Sequence, residues 1–257
     1  MSDSSTIFSI RDIHVKVEDK EVVKGISLDI RAGEKHAIMG PNGSGKSSLA
    51  NALAGHPNYS ITSGEAFING HNLLEMDATH RALAGLFLGF QYPVAIPGVT
   101  VANFMRSAIK ARTGNDESIL KSFRKDLSEK FALLEIDKSF ATRYLNDGFS
   151  GGEKKRLEIL QMAMLNPMIA ILDETDSGLD IDALRIVANG INHYAPSTGG
   201  VLLITHYQRL LNHVKPDKVH VMMNGRIVQS GGPELALKLE ELGYDWITSE
   251  TAEKVGV

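Results

Sequence analysis

Hydrophobic and polar residues alternate along residues 8–17 and again through Ile26-Ser27-Leu28-Asp29-Ile30, the period-two pattern of strands that turn one face inward. A short apolar run, Ala37-Ile38-Met39, meets a glycine-rich stretch and gives way to Ser48-Leu49-Ala50-Asn51-Ala52-Leu53, which reads as a helix. Another strand is expected over 64–70, so the early chain mixes antiparallel β structure with one βα unit. From about 100 to 165 helix formers dominate, with Leu127, Phe131, Leu134 and Ile136 spaced roughly as one helical face, and this stretch reads as a helical lobe. Two near-continuous apolar runs follow, Met168-Ile169-Ala170-Ile171-Leu172 and Val201-Leu202-Leu203-Ile204. Apolarity without alternation, across a gap that suits a helical crossover, predicts parallel strands buried on both faces. Residues 219–228 read as a hairpin turning at Asn224-Gly225, a dipeptide suited to a type I′ turn, and 233–242 as an amphipathic helix.

The glycine-rich stretch is Gly40-Pro41-Asn42-Gly43-Ser44-Gly45-Lys46-Ser47. Its glycines let the backbone fold into a ring whose N–H groups point at phosphate oxygens, and the helix that follows aims its positive end at the same place. Lys46 is spaced to reach the β- and γ-phosphates and Ser47 to set its hydroxyl on magnesium, with Ser48 beside them. Strand, loop and helix arrive in the order a P-loop requires, which a chance glycine-rich turn would not need. The expected ligand is ATP or GTP.

Composition narrows the remainder. The 257 residues are 43% hydrophobic, enough for one large α/β domain or a core with an appended lobe. A net charge of −4 offers no general attraction to nucleic acid or anionic membrane. Cysteine is absent, which removes disulfides, thiolate catalysis and cysteine-held metal centres from what the chain can do alone. No apolar stretch approaches the ~20 residues that span a bilayer. The start, Met1-Ser2-Asp3-Ser4-Ser5-Thr6, lacks the basic and apolar regions of a secretory signal, so a cytoplasmic location, or an equivalent organelle interior, is expected.

A second constellation is the apolar strand that ends in Asp173-Glu174. A buried parallel strand delivers its last residues to the sheet edge where the phosphate cradle opens, so Asp173 can hold magnesium and Glu174 can orient or deprotonate the attacking water. A third is Phe149-Ser150-Gly151-Gly152-Glu153 ahead of the helix Lys154-Lys155-Arg156-Leu157-Glu158, a second anion site at a helix N-terminus. The chain thus carries two phosphate-binding devices for one nucleotide.

This third group resembles the LSGGQ signature of ATP-binding cassette (ABC) ATPases, with Phe149 and Glu153 departing from its first and last letters. Gln91 resembles the Q-loop, Ser177-Gly178-Leu179-Asp180 the D-loop, and His206 the switch histidine; the resemblance covers essentially the whole chain. It implies an α/β P-loop NTPase fold with a RecA-like catalytic core, an antiparallel β-subdomain and an inserted α-helical subdomain. It implies one domain over 1–257, with 1–92 and 167–257 forming core and β-subdomain and about 93–166 the helical subdomain. It also implies a magnesium-dependent ATPase that closes as a head-to-tail pair, the Lys46 cradle of one copy facing Ser150, Gly151 and Gly152 of the other across ATP. Gln91 would contact magnesium and the γ-phosphate, Asp180 would lie at the nucleotide interface, and Glu174, His206 and Lys46 would be catalytic.

Residues 85–99, Ser150-Gly151-Gly152-Glu153-Lys154-Lys155-Arg156 and 173–180 are similar to the ATPases of the Suf iron–sulfur cluster assembly machinery. That resemblance implies a SufB–SufD scaffold as partner and no direct membrane insertion. An ATP-binding subunit of a membrane transporter and a nucleotide switch or DNA- or ribosome-associated ABC protein remain the other readings. Val17 stands where many ABC ATPases stack an aromatic on adenine, which leaves only apolar contact with the base. Lys154, Lys155 and Arg156 read as a solvated helix face or, more sharply, as a source for Lys155 to pair with Glu174 and hold back basal hydrolysis. Trp246 is expected to anchor the C-terminal tail by packing, and His56, His71, His80, His193 and His213 lack metal-ligand spacing.

Overall fold

The computed structural model describes residues 6–114, 116–194 and 198–247, without the side chains of 117, 120 and 194; the expectation for the first five residues lies outside this range. The chain opens with β1 (Thr6–Val17), β2 (Lys20–Arg31) and β3 (Lys35–Met39), then α1 (Lys46–Ala54), β4 (Tyr59–Ile68), β5 (His71–Asn72), α2 (Ala78–Leu83) and β6 (Leu86–Gly89). The middle holds β7 (Ile96–Thr100), α3 (Val101–Thr113), α4 (Glu117–Leu133), β8 (Tyr144–Leu145) and α5 (Gly151–Leu165). The last third runs β9 (Ile169–Asp173), α6 (Ile181–Tyr194), β10 (Gly200–Ile204), α7 (Gln208–Val214), β11 (Lys218–Met223), β12 (Arg226–Gly231) and α8 (Glu234–Leu242).

Two larger sheets form. One is antiparallel in the order β2-β1-β4-β5, and the other runs β12-β11-β3-β10-β9-β6 with every pair parallel except β11–β12. Alternate residues of the buried strands feed two cores. Ala170, Leu172, Val201 and Leu203 join the side chains of α3 to α6, whereas Ile169, Ile171, Leu202 and Ile204 join α1 and the antiparallel sheet. The parallel sheet is thus covered on both faces, which is why its strands read as unbroken apolar runs. The expected hairpin turns where Asn224 (φ 49°) and Gly225 (φ 84°) both take the left-handed conformation of a type I′ turn.

The helical stretch needs correction. Leu127 and Phe131 lie on α4, but Leu134 and Ile136 lie beyond its end, because Glu135 turns left-handed (φ 51°) and terminates the helix. All four still enter the same core. The segment also contains the small β7–β8 pair, and β6, read in the sequence only as an apolar segment, is the edge strand of the parallel sheet. Trp246 packs against the core as expected, with Lys238 Nζ 3.5 Å from its ring centre.

Two histidines are buried in the parallel sheet. His220 Nε2 on β11 lies 3.2 Å from His36 Nδ1 on β3, His36 Nε2 lies 3.1 Å from Glu34 Oε2, and His220 Nδ1 lies 2.7 Å from Ser230 Oγ. Burial pushes both imidazoles down, His220 from 6.5 to about 4. Between those values the unfolded chain binds more protons than the folded one, so stability present above pH 6.5 is lost as pH falls toward 4. At about 1.4 kcal/mol per unit, His220 contributes roughly 3 kcal/mol to that loss. Denaturant unfolding at neutral and acid pH should show His220→Gln losing correspondingly less than the parent chain. Equal losses would exclude the linkage.

Candidate functional site

Four neighbouring parallel strands end at one edge of the sheet and bring most of the candidate residues together there. Strand β3 leads into Gly40, β10 into Thr205 and His206, β9 ends in Asp173 before Glu174, and β6 leads into Phe90 and Gln91. Register holds these ends level: Ile204 pairs with Ile38 and Asp173, and Leu172 with Gly89.

The loop from Gly40 to Gly45 curls over the end of β3 and opens α1. At Gly45 (φ 105°) a Cβ would lie 2.7 Å from the Val22 carbonyl of β2, so the tight curl requires glycine. The Gly225 N–H of the β11–β12 turn donates to Ser44 O at 2.9 Å and anchors the loop from outside. Ser44 and Lys46 are buried, Pro41, Ser47 and Ser48 half-buried, and Asn42 and Gly43 exposed. Lys46 Nζ donates to Gly40 O at 2.8 Å and Pro41 O at 3.0 Å. Burial lowers its pKa against the opposing pull of Glu174 and Asp173, so the ammonium stands among both carboxylates and the loop.

Ser47 Oγ donates to Asp173 Oδ1 at 3.0 Å. Burial raises the Asp173 carboxyl to about 6 against that hydrogen bond, with Glu174 adding to the rise. Two hard oxygens at this spacing fit adjacent ligands of magnesium, whose ~2.0–2.1 Å octahedral bonds set neighbours about 2.9 Å apart.

Glu174 takes a left-handed backbone (φ 46°), a conformation that costs an ordinary residue about 1 kcal/mol. Its N–H donates to Ile204 O at 2.8 Å and its carbonyl accepts from Ser177 N at 3.1 Å, which hold it there. The carboxylate is buried, accepts from Gln91 Nε2 at 2.6 Å and faces His206 Nδ1 at 3.5 Å. Gln91, Glu174 and His206 are therefore brought together.

The expected Lys155–Glu174 pair is not what forms. Lys155 is buried and donates to Phe90 O at 2.6 Å and Glu158 Oε2 at 3.2 Å, so it is not part of a solvated face either. Arg156 donates to Glu135 O at 2.8 Å, tying α5 to the end of α4. Asp176 and Thr205 were missed as a pair: Thr205 Oγ1 donates to Asp176 Oδ2 at 2.9 Å and accepts from Tyr207 N at 3.0 Å, fixing the chain on both sides of His206. Their signal was a hydroxyl directly after one buried strand and an acidic residue three positions past the other, visible only as single polar positions. Val17 ends half-buried on β1, paired with Lys20 and Tyr59, and the Val22 carbonyl lies beside Gly45 of the cradle.

Ser150 stands apart from this cluster, exposed at the start of α5. Its Oγ accepts from Glu153 N at 3.3 Å while Glu153 Oε2 accepts from Ser150 N at 2.7 Å, a reciprocal cap that explains why an acid serves at 153. Phe149 packs against Phe140 with the rings tilted by 43°, and Arg143 lies 4.4 Å from both ring centres. A Cβ at Gly152 would lie 3.6 Å from Ala183, so Gly152 runs past the start of α6, where exposed Asp180 accepts from Ala183 N at 2.8 Å, whereas a Cβ at Gly151 would meet nothing within 4 Å. Within one chain no described contact joins Ser150, Gly151, Gly152 or Asp180 to the Lys46 cradle.

Residues 23–177 match the family model described as ABC transporter. The chain is 56% identical over 249 residues to "Vegetative protein 296" of Bacillus subtilis (strain 168), covering 96% of this chain and 95% of that protein. It is 56% identical over 248 residues to "Probable ATP-dependent transporter ycf16" of Pyropia yezoensis, covering 95% and 99%. Among solved structures, an ATP-binding subunit of an ABC transporter superposes with a TM-score of 0.78 at 21% identity, covering 95% of this chain and 98% of that one. A dimeric ATP-binding cassette described as a post-hydrolysis state bound to ADP and Pi gives 0.74 at 20% identity, covering 88% and 98%. The family match spans more than half of the chain and the relatives nearly all of it: the chain belongs to the ABC transporter family of ATP-binding cassettes.

Proposed function

We propose that this ABC ATPase works as a SufC-type subunit, hydrolysing ATP between two head-to-tail copies to drive a conformational change in a SufB–SufD-like scaffold during iron–sulfur cluster assembly, in the cytoplasm. The observation that carries the paired site is that the Lys46 cradle and the Ser150 turn, both suited to phosphate, share no contact among the described residues of one chain. A second copy turned head to tail lets Ser150, Gly151 and Gly152 meet the triphosphate held by the first.

In that site the loop amides and Lys46 bind the phosphates, Gln91 holds the Glu174 carboxylate with His206 beside it, and Glu174 accepts the proton of the attacking water. Ser47, Asp173 and Gln91 would hold magnesium, which supplies positive charge to the phosphates when bound. The Ser150 hydroxyl, accepting from Glu153 N, keeps its proton free to donate to a γ-phosphate oxygen. Closure is then favoured only while a γ-phosphate bridges the copies.

For the partner, the support is the surface beside Gln91. Phe90, Tyr92 and Val94 are exposed, Tyr92 by 78%, next to an apolar groove that includes Leu83, Phe104 and Ala108. An apolar patch of this kind marks a protein interface. No helix among the described residues is long and apolar enough to cross a membrane.

Tagged protein purified from its own cells should bring down two soluble scaffold chains and show ATP hydrolysis that rises when they are added. Integral membrane chains in their place would support a transporter subunit, the reading that several relatives' names favour.

A further inference from the structure

The buried pair on α5 does something that packing does not require. Lys155 and Glu158 are 3% and 3% exposed, one helical turn apart, with Nζ and Oε2 at 3.2 Å. Both also bond to the backbone of one residue: Glu158 Oε1 accepts from Phe90 N at 2.6 Å, and Lys155 Nζ donates to Phe90 O at 2.6 Å. Both backbone groups of Phe90 are thus held by opposite charges from one helix, although the Phe90 ring itself is 49% exposed. The neighbouring strand is built around this contact. A Cβ at Gly89 would lie 3.2 Å from the Glu158 carboxyl carbon and 3.0 Å from Leu172, so glycine there leaves the space that Glu158 enters.

Such a pair is a poor way to gain stability. Burial pushes the Glu158 carboxyl up to about 7 even against Lys155, and apolar side chains of similar volume commonly serve a core as well as a buried ion pair. What the pair does achieve is mechanical. Phe90 precedes Gln91, whose amide holds the Glu174 carboxylate at 2.6 Å, and α5 is the helix that Ser150 caps. From the proposed γ-phosphate contact at Ser150, a rigid helix of ~1.5 Å rise per residue leads to Lys155 and Glu158. The contacts then continue through the Phe90 backbone to Gln91 and Glu174.

We propose that Lys155 and Glu158 are positioning residues: they clamp the Phe90 backbone to α5, so that a shift of the Ser150 end of the helix moves Gln91 and with it the Glu174 carboxylate. The functional half of this statement rests on the paired-site reading above; the clamp itself does not.

The test pairs hydrogen exchange with kinetics on the full chain. In Lys155→Met and Glu158→Leu, amide exchange within residues 86–95 should rise about tenfold, the loss of roughly one backbone hydrogen bond's protection, while β3 and β10 exchange as in the parent. The ATPase kcat should fall about tenfold with KM for ATP unchanged, the size expected for a coupling element that touches no ligand. Lys155→Arg, which keeps charge and donors, should restore both. Lys155→Met with Glu158→Leu, an apolar replacement of the pair, should melt near the parent temperature and still show fast exchange at 86–95. Unchanged exchange at 86–95 in that double variant, a rise spread evenly over all segments, or a KM effect at constant kcat overturns the proposal. Absence of ATPase activity in the parent chain would instead sink the proposed function, leaving the exchange result to decide the clamp alone.

Discussion

Glu174→Gln is expected to leave ATP binding intact and to reduce turnover by about 10²–10⁴-fold, the usual contribution of a positioned general base. The substitution keeps the size of the side chain, and a glutamine carbonyl can still accept from Gln91 Nε2, which holds the carboxylate at 2.6 Å. The buried setting and the left-handed backbone, fixed by Ile204 O and Ser177 N, should therefore persist. What disappears is an oxygen able to take a proton from water. Phosphate affinity depends on Lys46 and the loop amides on the other side of β10, so nucleotide titration should give the parent value. Removing a negative charge beside the γ-phosphate also lessens repulsion in the closed pair, and without hydrolysis nothing dissolves it. Light scattering in ATP should then report a persistent dimer where the parent returns to monomer. Phosphate release at the parent rate would remove Glu174 from the role of base.

Residues of this site differ in how far a linear reading could place them, and the difference has a physical origin. The cradle was legible because its chemistry is local: a strand, six loop positions and a helix are consecutive, and Gly45 is dictated by a backbone angle. Asp173 and Glu174 were legible because a buried parallel strand can end only at the sheet edge where the cradle opens. Gln91 and His206 came from resemblance, since a lone amide or imidazole after an apolar run carries no spacing information. Contacts between elements were not legible. The Thr205–Asp176 pair and the clamp on Phe90 join positions 29 and 65 or more residues apart, and which side chains meet there follows from sheet order. That is also why Lys155 was placed against the wrong carboxylate: charge and proximity to the signature were visible, but the turn of α5 that points it at Phe90 was not. Glu135 shows the same limit on a smaller scale, since one left-handed residue ends α4 and puts Leu134 and Ile136 outside a helical face they otherwise continue.

Lys46→Ala is expected to act on binding where Glu174→Gln acts on turnover. A charge-assisted hydrogen bond contributes about 1.5–3 kcal/mol, and an ammonium bridging two phosphates makes two, which would suggest a loss of about 3–6 kcal/mol. The folded chain reduces that figure. Lys46 Nζ already donates to Gly40 O at 2.8 Å and Pro41 O at 3.0 Å, so binding exchanges carbonyl partners for phosphate oxygens rather than creating bonds from nothing. The lower end, about 3 kcal/mol or 100-fold in ATP affinity, is the expected result. Folding should respond differently. Burial already disfavours this ammonium, lowering its pKa, and its removal relieves that cost while leaving two carbonyls, groups that tolerate a missing partner better than an N–H does. Calorimetry should accordingly record a melting temperature close to the parent's without nucleotide, and a much smaller rise on adding ATP. If instead the unliganded variant melts far below the parent while its ATP affinity is preserved, Lys46 is a structural tie within the loop and not the group that grips the phosphates.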